Sequence, residues 1–356
     1  MTDAWDVDAG ANAGQNTIIA VIDSGVDYYT DGQGQIHYHP DLAPNIAGGK
    51  GFAYYAGYVH IVNDHQDQDP YGHGTQVIGV IAAIVNGTGA NASGIVGAAP
   101  QTRIYALKYF GGLVEEVVAA IYYAVEFLRA NIVSMSWGYD YPDSRLFDAC
   151  NYAQNHGALL FAASGNDGQI IHEYPALYDS VVAVGATCKN DSRWSFSDYG
   201  PKLCFVAPGV DIPTTTINEG YANATGTSFA APYASAAAAL IWTSKPDPGG
   251  GFGSQWTNVG VYQKMRTNGT LDLWPTGKDN DTGWGLINAW LSNQRPIGDI
   301  DNDLRVSGVD VALAQYAFGS YPGHPRWDPR ADMNINNRVD GTDVAWICRH
   351  FGESDP

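Results

Sequence analysis

The feature that most limits the fold is a series of short, unbroken apolar runs separated by helix-like stretches. Residues 17–23 read TIIAVID, 103–110 RIYALKYF, 130–137 ANIVSMSW, 158–164 ALLFAAS and 180–187 SVVAVGAT. A strand with one wet face alternates apolar with polar residues. A run that is apolar throughout is buried on both faces, as in a parallel sheet covered by helices. The segments GTQVIGVIAAIV, LVEEVVAAIYYAVEFLRA and RLFDACNYAQNHG between the runs supply such helices. Strand alternating with helix predicts an α/β fold: a doubly wound, mostly parallel sheet with flanking helices. Its ligand site belongs at the carboxyl ends of the strands.

Composition narrows the partners. The chain has 356 residues, 45% of them hydrophobic, enough for a sizeable core. Only 15% are charged, and the formal net charge is −19. That balance argues against nucleic acid or an anionic membrane and suits cation binding. No apolar run reaches the roughly 20 residues needed to span a bilayer. No signal peptide is visible at Met1, so any targeting segment is expected to lie outside this sequence. The four cysteines, Cys150, Cys188, Cys204 and Cys348, include no CxxC pair, which disfavours zinc. Cys188 and Cys204 flank a loop, and a disulfide between them stays open as one reading.

Chemistry concentrates at the ends of these runs. In NATGTSFAAPYASAAAALIW (residues 223–242), Gly226 permits a sharp turn and the alanines favour a closely packed helix. Pro232 is expected in the helix's first turn, where no amide hydrogen bond is lost. Ser228 then stands at a helix N-terminus, where backbone amides favour developing negative charge. An activated serine needs a base, and the base needs an orienting acid. His73, between glycines in GHGTQVIGV, opens another helical stretch. Asp23 ends a buried run in VIDSGVD, a costly place for an acid unless it is paired. Asn166, in SGN at residues 164–166, ends a third run and offers a carboxamide.

Taken in order, AVIDSGVD, GHGTQVIG, AASGND and GTSFAAP resemble the subtilisin-like serine peptidases, over roughly Trp5 to Leu291. The resemblance implies a secreted, extracellular endopeptidase acting on protein or peptide substrates, with a catalytic domain over residues 1–292. It implies that Asp23 orients His73, that His73 activates Ser228, and that Asn166 with the Ser228 amide holds the oxyanion. It makes Ser136, Trp137 and Gly138 one wall of the specificity pocket and Ala163, Ser164 and Gly165 the other. Three departures stand out. Gln76 replaces a second histidine, YYTDGQGQIHYHPDL is longer than the usual link, and Trp137 replaces a leucine. Trp137 either shapes the pocket or packs against the core.

After a linker at residues 293–298 the composition shifts, and residues 299–356 contain an internal repeat. DIDNDLRVSGVD carries Asp299, Asp301, Asp303 and Asp310 at loop positions 1, 3, 5 and 12, and DMNINNRVDGTD carries Asp332, Asn334, Asn336 and Asp343 at the same spacing. Arg305 and Arg338 hold position 7, where an EF-hand loop uses the backbone carbonyl. The paired loops, with Asp at position 12, resemble dockerin modules: a small α-helical module with two calcium loops. Leu304 at position 6 of the first loop and Asn337 in the second depart from the usual glycine. The resemblance implies either docking onto a cohesin-like partner or packing on the catalytic domain. Further calcium candidates are Asp64, Asp67 and Asp69 in NDHQDQDP, and Asp41 with Asn91. Calcium is the cofactor expected.

Overall fold

The computed structural model describes residues 14–67, 72–84, 94–243, 257–273, 277–289, 300, 305–322, 324–328, 331–333 and 338–349. In chain order the first strands are β1 (Ile18–Asp23), β2 (Tyr28–Thr30), β3 (Ile36–Tyr38), β4 (Ile46–Tyr55) and β5 (Tyr58–Val62). Helix α1 (His73–Ala82), β6 (Arg103–Tyr109), α2 (Val114–Glu126), β7 (Ile132–Met135), α3 (Ser144–Asn155) and β8 (Leu159–Ala163) follow. Then come β9 (Val181–Thr187), β10 (Leu203–Pro208), β11 (Ile212–Thr216), β12 (Gly220–Ala224) and α4 (Thr227–Thr243). The chain continues through α5 (Asn258–Asn268), β13 (Thr270–Leu271), β14 (Leu286–Ile287), α6 (Gly308–Ala317) and α7 (Gly341–Arg349).

Among the described residues ten strands form one sheet, in the order β13-β14-β10-β9-β8-β7-β1-β6-β4-β5. The eight from β14 to β4 run parallel; β5 and β13 are antiparallel edges. All five apolar runs are strands of this sheet, and their side chains divide between two cores. Ile19, Val21, Ile132, Leu159 and Phe161 face one core with α1 and α4. Ala20, Ile22, Val133, Met135 and Leu160 face the other with α2 and α3. With both faces buried the strands have no wet face to favour polar alternation, and buried polar side chains such as Lys108 and Ser134 are exceptions within them. Each fully buried Ile, Leu or Phe among them contributes roughly 1.5–3 kcal/mol.

Three features were not legible as elements. β4 and β5 form a hairpin that extends the sheet edge, built on the glycine-rich IAGGKGFAYY. The long insertion folds as a β2–β3 hairpin with Tyr29 and Ile36 exposed. A β11–β12 hairpin leads into α4. Pro232 corrects the expectation for α4: it lies past the first turn, at the sixth residue of the helix. Proline cannot donate to the carbonyl four residues earlier, and here that carbonyl, of Ser228, accepts instead from Ser136 Oγ at 2.8 Å. The four cysteines carry free thiols, Cys188 and Cys204 included. No helix among the described residues is long and apolar enough to cross a membrane.

The C-terminal residues build a separate small core of Ile300, Val306, Ala314, Ala317, Ala331, Met333, Val339 and Ile347. Ile300 and Met333 hold position 2 of the two loops, and Val306 and Val339 hold position 8. The repeat in sequence is therefore a repeat in packing. The linker at 293–298 lies outside the described residues.

Candidate active site

Asp23 is the last residue of β1 and is almost fully buried. Its Oδ1 accepts from the Ser24 amide at 2.7 Å and lies 2.7 Å from His73 Nδ1. Its Oδ2 is buried with no hydrogen-bond partner. His73 is the first residue of α1, and its side chain is 30% exposed, so one edge of the ring reaches solvent. Both flanking glycines have a reason to be there. Gly72 caps the helix in the left-handed region (φ 63°), which side chains with a Cβ disfavour. A Cβ on Gly74 would sit 2.1 Å from the Gly25 carbonyl oxygen, so glycine lets α1 approach the turn that follows Asp23. That turn reaches back, as Ser24 Oγ accepts from the Gly74 amide at 2.8 Å.

Ser228 is the second residue of α4, within its first turn. The ring of its neighbour Phe229 lies 5.8 Å from the His73 ring, centroid to centroid, and α1 packs on α4. Asn166 follows the end of β8. Its Oδ1 accepts from both the Thr227 amide and Thr227 Oγ1 at 2.9 Å. These bonds hold the side chain so that its NH2 points away from Thr227. Among the described residues neither that NH2 nor the Ser228 amide donates to a protein acceptor. A helix N-terminus with an open side-chain amide beside it is suited to an anionic oxygen.

The segments that continue β7 and β8 flank Ser228. On the β7 side, Ser136 Oγ holds the Ser228 carbonyl, and Ser228 Oγ lies 3.4 Å from the Ser136 carbonyl oxygen. Trp137 is half-buried, donates from Nε1 to the Ile22 carbonyl at 2.7 Å, and meets Tyr109 and Tyr139 edge-on. Of its two readings, these contacts favour packing. Gly138 is exposed. On the β8 side Ala163, Ser164 and Gly165 are buried; Ser164 Oγ donates to the Asp198 carbonyl, and the Gly165 amide to Thr227 Oγ1.

The calcium candidates of the catalytic region are used in different ways. Asp67 is buried, and its Oδ2 accepts from the Thr75 amide and hydroxyl at 3.1 and 3.2 Å, tying it to the first turn of α1. Asp64 Oδ1 accepts from the Gln66 amide and the Tyr28 hydroxyl. Asp41 is fully buried and accepts from the Ile95 amide at 3.0 Å. Asp69, Asn91, Asp299, Asp301, Asp303, Asn334 and Asn336 lie outside the described residues. In the C-terminal loops Asp310, Asp332 and Asp343 are fully buried. The position-12 carboxylates act alike: Asp310 Oδ2 accepts from the Ser307 amide and Asp343 Oδ2 from the Asp340 amide, each three residues back. Asp310 Oδ1 also accepts from Ile300. Arg305 and Arg338 are present at position 7 of these loops.

Sequence reasoning missed a second constellation beside Ser228. The side chains of Asp140, His172 and Glu173 converge, as do those of Asp167, His172 and Asp198, with donor atoms within 4.8 Å in each set; either set is able to hold a metal ion. Nothing in the spacing of 140, 167, 172, 173 and 198 signals this, because three different loops bring them together.

Comparison with known proteins agrees with this geometry. The Subtilase family matches over residues 14–285. Subtilisin BL of Lederbergia lenta is 35% identical over 279 residues, covering 78% of this chain and 90% of that protein. The Thermophilic serine proteinase of Bacillus sp. (strain AK1) is 40% identical over 242 residues, 67% of this chain and 54% of that protein. The Minor extracellular protease Epr of Bacillus subtilis (strain 168) is 39% identical over 279 residues, 77% of this chain and 38% of that protein. The match to the family spans the chain from β1 through α4, with every segment around Ser228, and so the chain belongs to the subtilase family of serine endopeptidases.

Proposed function

We propose that the chain hydrolyses peptide bonds through Asp23, His73 and Ser228, with Asn166 and the Ser228 amide stabilising the oxyanion. The observation that carries this reading is the 2.7 Å contact between His73 Nδ1 and buried Asp23 Oδ1, on a ring that packs beside Phe229, the residue after Ser228. In the first half-reaction the Ser228 Oγ–carbon bond forms while His73 takes the hydroxyl proton. The carbon–nitrogen bond then breaks and His73 returns that proton to the leaving amine. Water repeats the sequence on the acyl-enzyme, with His73 as base, and releases the acid and the free serine. Asp23 keeps the imidazole in the tautomer that presents a lone pair to Ser228 and stabilises the imidazolium. Labelling with a fluorophosphonate tests this: one equivalent is expected on Ser228 and none on Ser228→Ala. An intact, folded chain that takes no label would overturn it.

The substrates are proteins or peptides and the site of action is extracellular, a reading supported by family membership and by the extracellular relative. We further infer that residues 299–356 form a calcium-binding module on the catalytic domain of residues 1–292. All-oxygen donor sets at matching positions, with three fully buried acids in a small core, fit a hard divalent cation. Asp310 in the first loop, and Asp332 with Asp343 in the second, would each hold calcium together with the position-3 and position-5 side chains of the same loop. Calcium would offset the repulsion among those carboxylates. A structural role is favoured over docking, because Arg266 Nη2 of α5 donates to the Asp332 carbonyl at 2.7 Å, joining module to domain. Positions 10 and 11 are Gly308-Val309 and Gly341-Thr342, largely without the hydroxyls expected of a docking face. Excess chelator should lower the melting temperature, through loss of an ion that binds only the folded state. An unchanged melt would remove calcium from the account.

A further inference from the structure

The two strand continuations that flank Ser228 each have a carboxylate pressed against a glycine. A Cβ built on Gly138, which continues β7, would lie 2.2 Å from Glu173 Oε2. One built on Gly165, which continues β8, would lie 2.4 Å from Asp198 Oδ2. β7 and β8 are neighbours in the sheet, so these carboxylates stand on opposite sides of one gap. His172 links them, with Nδ1 3.5 Å from Asp198 Oδ2 and Nε2 3.8 Å from Asp167 Oδ2. Asp140 and Glu173 complete the set on the Gly138 side. Reciprocal hydrogen bonds between the Tyr139 and Tyr174 backbones, at 2.8 and 2.9 Å, fasten the Glu173 segment to the β7 continuation.

This floor carries more negative charge than its one imidazole can compensate. Asp198 is fully buried. Its Oδ1 accepts from the Asp167 and Gln169 amides at 3.0 Å, but its Oδ2 has no hydrogen-bond donor. The half-buried Glu173 carboxylate makes no hydrogen bond or ion pair among the described residues. Burial pushes its pKa up; His172 opposes that rise, and Asp198, Asp140 and Asp167 each add to it by less. Four acids face one imidazole, so the gap is net negative even when His172 is protonated. Buried anionic oxygens without donors are costly until a cation reaches them.

We infer that this gap receives the side chain on the acyl side of the scissile bond, and that its carboxylates select lysine or arginine there. The inference rests on the proposed attack by Ser228, which fixes the acyl carbon between the two wall segments. A long side chain then carries its cation past Gly138 and Gly165 to Glu173, where a charge-assisted hydrogen bond replaces lost hydration. An acidic residue at the same place meets like charge, which supplies rejection as well as preference.

The test compares peptide amides that differ only in the residue before the scissile bond: Arg, Lys, Leu, Phe or Glu. With the wild-type chain, kcat/KM for Arg or Lys should exceed that for Leu at least tenfold, with Glu slowest. In Glu173→Gln the Arg-to-Leu ratio should shrink at least tenfold. Each sample is titrated with fluorophosphonate, so rates are per competent site. If the variant takes no label, the wild-type ratios decide alone. Leu or Phe matching Arg in labelled wild-type enzyme would overturn the inference and leave the peptidase reading intact, as would a labelled variant with an unchanged ratio. A wild-type ratio that collapses on chelation, with the variant behaving as wild type, would assign the gap to a metal ion and overturn direct recognition. Wild-type chain that takes no label overturns both readings.

Discussion

At Asn166 one side chain serves two neighbours. Its carbonyl oxygen is held by Thr227, and its NH2 group is left open beside Ser228. Asn166→Ala removes the open donor and also the acceptor that fixes Thr227. Loss of one such donor in subtilisin costs about 10²–10³ in kcat, and a loss of that size is expected here, with KM changed much less. Steady-state kinetics on one peptide amide check it; a KM effect as large as the kcat effect would place Asn166 in ground-state binding. The asparagine was legible in sequence because SGN closes an apolar run. Glu173 was not legible. Next to His172 it reads as one more polar loop residue, and only the approach of Gly138, 35 positions earlier, gives it a pocket to line.

Two elements carry predictions of their own. Helix α4 contains Pro232, and Ser136 Oγ occupies the carbonyl that the proline leaves open. Ser136→Ala should therefore destabilise the fold by about 1–3 kcal/mol, the cost of a buried acceptor without its donor. Urea denaturation measures this; a change within error would mean that solvent reaches the Ser228 carbonyl. Helix α3 starts at Asp143, whose side chain accepts from the Arg145 and Leu146 amides and pairs with the Arg145 guanidinium. The hydrogen bond from Arg145, helped by these amides, lowers the Asp143 pKa. A lowered carboxyl stabilises the fold above its ordinary pKa, and that contribution is lost as pH falls through the lowered value. Asp143→Ala should cost about 1 kcal/mol at pH 7, as for other N-caps, and progressively less below pH 4. A penalty that stays constant with pH would show that the amide cap acts without the charge.

Over the whole molecule, the family match ends at residue 285, and the described apolar residues from Ile300 to Ile347 form a small core of their own. Arg266 makes a hydrogen bond between the two. It is buried, donates to the Asp332 carbonyl, and stacks its guanidinium over Trp284 at 5.1 Å. Arg266→Met keeps the stem and removes the charged donor, and should cost about 1.5–3 kcal/mol. Deleting the residues after Pro296 should lower the melting temperature by a similar cause while leaving fluorophosphonate labelling intact at 25 °C. A truncated chain that melts with the full one would show that the module is carried rather than used for stability.

The sequence by itself determined the parallel sheet, the helices that cover it and the four motifs around the serine. Each of these is written locally, in the period of apolar residues, in glycines at fixed turns, and in polar residues placed where a buried run ends. Tertiary structure decided what distant segments do to one another. The hairpin from Ile46 to Val62 became a sheet edge because β6 was there to pair with β4. The Ser228 carbonyl found Ser136, and five side chains from three loops became one acidic gap. The energy of a buried carboxylate or an open carbonyl depends on the groups that surround it in space, and no spacing along the chain encodes that neighbourhood.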